Sequence, residues 1–392
     1  MKKKRPESKH TKILLALLAL SSLSSLLYIG LNSKTETQTE TVVVQKNQKA
    51  SYPVQYSDNH ITENAIVSNP KFKNIAFSDK ESMLANSISN LIKSKGPRVS
   101  TESEKGTWLW TPILQITPSY MKSIMAGARK NNVRNIYLSI DSYLDIYIMP
   151  DGEEKDKKKK AFDAIIENFI VEANKVGMTV DAEAGWRNWA ESGHAYKAVA
   201  TLNYAIEFNK KHRNKLRGFQ YDVEPYLLAE YNKDKKEVLK NFLTLIDKSI
   251  SKLDKSDLEL SVVIPEFYDG TNGDTPEFVY KGKKGYTVDH LLSILDRRKQ
   301  SKIIVMSYRN WSIGDDGSIE ISRNEIDSAN LHETKIVVAQ ETGDVEPPYV
   351  TFHKTTKPYY NRQVEAIQKT FKAEKSFGGI AVHYINALMD LK

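Results

Sequence analysis

A chain of 392 residues with 40% hydrophobic and 27% charged side chains holds one large globular domain plus extensions, and is too apolar to be a disordered chain. Its net charge of +8 suggests a nucleic-acid face, but Lys2, Lys3, Lys4, Arg5, Lys9 and Lys12 against Glu7 supply most of it, which leaves too little elsewhere for duplex binding. The absence of cysteine removes disulfides, thiol nucleophiles, zinc–thiolate sites and attachment through a lipid-modified cysteine.

Residues 1–31 join this basic leader to the apolar run Ile13–Leu31. In a helix that run spans about 28 Å, close to the hydrocarbon thickness of a bilayer. Positive charge before it predicts a cytoplasmic leader and an extracytoplasmic remainder. A cleaved signal peptide, giving a secreted protein, fits less well. The run is longer than the usual apolar core of roughly 7–15 residues and has no clean small-x-small site. The expectation is therefore a single-pass membrane anchor. Residues 32–78, rich in Thr, Gln, Asn, Ser and Lys, are expected to form a polar stalk. Within the remaining domain, 79–392, residues 80–95 place Met83, Leu84, Ile88, Leu91 and Ile92 at helical spacing.

From Gly106 short apolar runs alternate with longer amphipathic stretches. The runs are 107–112, 135–141, 178–185, 218–225, 259–266, 302–309, 335–342 and 379–386. Seven helices fit between them, including 161–177, 238–254 and 361–375. Strands alternating with helices imply parallel pairing, and eight of them imply closure into a (β/α)8 barrel. The chain ends too soon after the eighth run for a full eighth helix, and 80–95 is a candidate to fill that place. The run of lysines at Lys155 and Lys157–Lys160, flanked by Glu153, Glu154 and Asp156, reads as a solvated helix start.

In such barrels the active site lies at the C-terminal ends of the strands. The residues expected there are Asp141, Asp181 and Glu183, Asp222 and Glu224, Glu266, Tyr308 and Arg309, Glu341, and His383. Any one acid can be a helix cap or an ion-pair partner, but so many strand ends carrying one exceeds what capping demands. Strand four is the most informative. Alternation puts Gln220, Asp222 and Glu224 on one face, toward the barrel mouth, and Phe219, Tyr221 and Val223 on the other, toward the helices. Carboxylates so close raise one another's pKa, which is how a glutamic acid stays protonated to act as a general acid. Trp108 and Trp110 lie on strand one. Trp186 and Trp189 follow strand three, and Trp311 follows strand six. Rings at that face form a platform for sugars, although one or two are expected merely to pack loops. Arg309 suits either an anionic substrate group or a rim acid, with the rim acid favoured.

The segment LRGFQYDVE (216–224) resembles the strand-four motif of family 18 glycoside hydrolases, the chitinase-type LDGIDIDWE pattern. Asp222 matches its last Asp and Glu224 its catalytic Glu. VMSYRN (305–310) is similar to the family's strand-six segment, with Met306 and Tyr308 at its site-facing positions, and His383 stands near the usual Trp of the last strand. The resemblance covers 106–392 in outline and about twenty residues in motif detail. It implies that Glu224 protonates the glycosidic oxygen, that Asp222 orients a substrate N-acetyl group as the nucleophile, and that Tyr308 holds that group. Two departures stand out: Arg217 and Gln220 replace the family's first and middle acids. The paired ends VEPY and QETG also resemble the large retaining-glycosidase clan that uses strands four and seven. There Glu224 would be acid/base and Glu341 nucleophile, although Val223 replaces that clan's usual Asn.

These features predict a cell-surface glycoside hydrolase acting on a polysaccharide, one possibly containing N-acetylated amino sugars. The alternatives are a non-catalytic glycan-binding barrel, favoured by Gln220, and an envelope assembly protein. No cofactor, metal or nucleic-acid partner is expected. There is no HExxH, phosphate loop or GxGxxG, and the eight histidines do not cluster.

Overall fold

The computed structural model describes residues 104–271 and 273–392. The anchor, the stalk and the helix at 80–95 lie outside the described residues. Among the described residues no helix is long and apolar enough to cross a membrane.

All eight predicted strands form. They are β1 (Lys105–Leu109), β2 (Asn135–Ser139), β3 (Thr179–Ala184), β4 (Gly218–Tyr221), β5 (Glu259–Pro265), β6 (Lys302–Met306), β7 (Lys335–Glu341) and β8 (Phe377–His383). Each pairs in parallel with the next, and β8 returns to β1 through Lys105↔Ile380, Gly106↔Ala381 and Thr107↔Val382, closing the barrel. Seven principal helices connect them: α1 (Pro118–Lys130), α2 (Glu153–Lys175), α3 (Ala195–Lys211), α4 (Lys235–Leu253), α5 (Thr287–Leu295), α6 (Arg323–Ala329) and α7 (Lys357–Phe371). A short α8 (Ile385–Asp390) follows β8 in place of a full eighth helix. A two-stranded antiparallel ribbon, Phe278–Tyr280 with Lys283–Gly285, is inserted before α5.

Local chemistry sets the helix starts. Thr117, Asp234 and Thr356 accept hydrogen bonds from the backbone N–H of Tyr120, Glu237 and Tyr359, capping α1, α4 and α7. The lysine run lies in α2 as expected. The helix begins earlier than 161, because Glu153, Glu154 and Asp156 fill a first turn where acids suit the dipole.

Strand alternation sorts the barrel wall. Ile136, Leu138, Val180, Ala182, Phe219, Tyr221, Leu260 and Val262 are buried on its outer side, and the Tyr221 hydroxyl reaches the Ala198 carbonyl of α3 and Ser249 of α4. Inside, Trp108, Tyr137, Val263, Ile304, Val337, Ala339 and Ala381 form one apolar layer.

Beneath that layer, at the strands' N-terminal ends, lies an ion network. Arg217 donates twice to Asp181, at 2.9 and 2.7 Å, and also to Glu104. Lys302 lies 3.1 Å from Glu259 and 3.3 Å from Glu104. Asp181 was expected at the mouth. Its register with Tyr137 and Gly218 instead puts it two residues below Glu183, at the closed end. Arg217, which stands at the first acid of the motif that this segment resembles, neutralises this floor.

Arg217→Ala leaves Asp181 buried without its partner. The expected loss is about 3–5 kcal/mol of folding stability, read as a shift of the urea midpoint. An unchanged midpoint would show that the network contributes nothing.

Candidate active site

The C-terminal mouth gathers carboxylates from three consecutive strands. Asp141 follows β2, Glu183 lies on β3, and Asp222 and Glu224 follow β4. Ser139, Glu183 and Gln220 stand side by side in register, so Glu183 points inward between its neighbours. Glycine permits the close approach. A Cβ on Gly185 would sit 1.8 Å from the Asp222 carbonyl oxygen, and the Gly185 N–H donates to Asp141 at 3.2 Å.

The four acids differ in depth. Glu183 is fully buried at 0% exposure, and neither of its oxygens has a hydrogen-bond partner. Asp141, Asp222 and Glu224 above it are partly open to solvent. Burial, reinforced by the charges of Asp141 and Asp222, drives Glu183 well above the ordinary carboxylate range. The Ser139 hydroxyl offsets a little of this without making a hydrogen bond of normal geometry. Asp222 is raised well above its usual value by burial and then by Glu224 and Asp141. Burial pushes Asp141 up to about 7, with the Gly185 N–H acting the other way. Glu224 is also raised by burial, and the Tyr226 hydroxyl and the charges of His383 and Arg187 pull it partly back. The Tyr226 bond engages Oε1. Pro225 opens a 3-10 turn that folds Tyr226 back onto the acid preceding it. A carboxyl raised in this way has the character that a general acid needs.

Gln220 is buried inside. It accepts the Trp108 indole N–H at 2.6 Å and donates to Ser261 at 3.4 Å. Opposite lies a separate chain of contacts. Glu341 accepts from His383 Nδ1 at 2.7 Å and from the Gly343 N–H at 2.6 Å, and His383 Nε2 accepts the Trp110 indole N–H at 2.9 Å. An indole can only donate, so Nε2 accepts in this contact and the ring N–H on Nδ1 is directed at Glu341. Tyr308 and Met306 pack against the apolar layer, and the Tyr308 ring lies 6.4 Å from that of His383.

Several expectations need correction. Trp189 and Trp311, at 2% and 6% exposure, are buried in their loops and offer no face to a sugar. Trp110 spends its N–H on His383. Trp186 remains partly exposed, with the Arg187 guanidinium 5.2 Å from its ring. Arg309 is buried and committed to Asp316 at 2.9 Å and to Glu266 at 3.7 Å, the rim-acid alternative. Gly185, Arg187 and Tyr226 belong to the mouth and carried no motif. The Pro-Tyr pair directly after Glu224 was the one available sign of Tyr226.

No family model matches the chain, and no curated protein matches it. Solved structures it is similar to include the endo-1,4-beta-mannanase of Rhizomucor miehei, at 11% identity over 74% of this chain and 89% of that one, with a TM-score of 0.48. A GH18 chitinase from Pseudoalteromonas aurantia gives 15% identity over 72% and 94%, with a TM-score of 0.44. The spore cortex-lytic enzyme SleL of Bacillus megaterium QM B1551 gives 13% over 76% and 76%, with a TM-score of 0.41. At these identities the likeness is one of barrel architecture, without reach into the chemistry.

Raised pKa values carry a signed consequence for stability. The protonated form is favoured in the fold, so the stability these acids contribute is complete below their ordinary range and is lost as pH rises; for Asp141 the window runs from 3.8 to about 7. Glu183→Gln removes one such acid. The expected result is a higher Tm than the parent at pH 8, with the gain shrinking as the pH falls toward 4. A gain that is the same at both ends would contradict it.

Proposed function

We propose that the protein is a membrane-tethered, extracytoplasmic glycoside hydrolase acting on a polysaccharide, with Glu224 as its general acid. The observation that carries this reading is the Glu224 carboxyl itself. It sits at the barrel mouth, raised by burial beside Asp222, with one oxygen held by Tyr226. Tethering rests on the basic leader and apolar run of residues 1–31.

In this mechanism Glu224 gives its proton to the glycosidic oxygen as the bond to the anomeric carbon breaks. The bonding pair leaves with that oxygen, and the positive charge left on the sugar faces Asp222. Deprotonated Glu224 then takes a proton from the incoming water. The route that draws its nucleophile from Glu341 has less support, since both oxygens of Glu341 are occupied by His383 and the Gly343 N–H. A glycan-binding barrel without turnover is the second reading, favoured by Gln220, whose carboxamide is tied to Trp108 and Ser261 and shares no proton with Asp222.

New reducing ends released from a panel of envelope glycans and amino-sugar polymers test the proposal. Glu224→Gln is expected to lower turnover by about 10²–10⁴-fold. The parent's rate should fall on the alkaline side as Glu224 loses its proton. Undiminished turnover in the variant refutes the assignment, and glycan binding without turnover by the folded parent leaves the binding-module reading.

A further inference from the structure

Resting on the glycosidase reading, we infer that the mouth takes a sugar bearing a free ammonium group, a de-N-acetylated amino sugar, with that group held between Asp141 and Asp222 above Glu183.

Placement is the starting point. Glu183 stands in register between Ser139 and Gln220. The charges of Asp141 and Asp222 act on it, and Asp222 also feels Asp141 and Glu224. His383 and Arg187 both act on Glu224, and neither is among the groups acting on Asp141, Glu183 or Asp222. Glu183 is completely buried with both oxygens unpartnered, and Asp222 Oδ1 is likewise without a partner. Buried acceptors left open are costly unless a donor arrives.

The donor has restricted chemistry. Among the described residues no three acids or histidines converge closely enough to ligate one metal ion. An ammonium on a sugar ring offers three N–H donors and one positive charge, and that charge favours the ionised forms of Asp141 and Asp222 against the burial that raises them. A neutral acetamide brings one N–H and no charge. It also meets a site poorly arranged to use it as a nucleophile, because Gln220 is locked to Trp108 and Ser261 and leaves Asp222 without a proton-sharing partner below. The ammonium sits toward Asp141, away from Glu224, which stays protonated for its role as acid.

Calorimetry on the full-length protein carrying Glu224→Gln compares glucosamine oligomers with N-acetylglucosamine oligomers of equal length. The expected result is at least about tenfold tighter binding of the glucosamine oligomers, weakened by salt. Asp141→Asn should remove most of that preference by weakening the glucosamine oligomers more than the N-acetylated ones. Equal or tighter binding of the N-acetylated oligomers, no binding of either, or an intact preference in folded Asp141→Asn overturns the inference. If Asp141→Asn does not fold, the comparison of the two oligomers decides alone. Turnover by the parent separates the two claims. Selective binding without turnover removes the glycosidase and keeps the ammonium pocket, while cleavage of N-acetylated chains only does the reverse.

Discussion

Closure of the first strand onto the last, Lys105 through Thr107 against Ile380 through Val382, is the constraint from which the rest follows. A closed sheet has an inside, and strand alternation leaves no choice about which residues fill it. The fill is graded along the axis. Charged groups neutralise one another at the N-terminal end, an aromatic and aliphatic layer occupies the middle, and acids stand at the C-terminal end. Four of the mouth's acids cluster on one side, with Asp141, Glu183, Asp222 and Glu224 on or after β2, β3 and β4, while Glu341 of β7 stands apart with His383 of β8.

The two charged ends obey opposite rules. At the floor, each acid has a cation within reach, and Asn135 adds a 2.9 Å hydrogen bond to Asp181. At the mouth, acids face one another and burial forces protons onto them. A fold gains nothing from the second arrangement, and local departures of this kind concentrate where a protein does chemistry. The apolar middle layer keeps the two ends apart, so the cations of the floor do not quench the acids of the mouth.

Much of this was legible in the sequence. Eight apolar runs with helices between them could close in one way, and the alternation of Gln220 against Phe219 and Tyr221 matches the strand, which ends at Tyr221. Alternation gives the face of a strand but not the depth along it, which is why Asp181 was assigned to the mouth when it belongs to the floor. Depth also separates the tryptophans, of which one or two were expected merely to pack loops. Trp186 and Trp189 sit three residues apart in one loop, yet one is partly open and the other buried, and only the packing of that loop decides between them. Contacts such as Gly185 against Asp222, or Trp110 with His383, join distant segments and leave no local pattern.

The floor network also determines how a long chain can use the mouth. With Arg217, Lys302 and their acids packed beneath an apolar layer, the barrel interior is filled from the floor upward and leaves no passage along its axis. Under the proposed function, a polymer would therefore lie across the rim with one unit toward the acids, and both fragments of a cut chain would leave by the side from which the chain came.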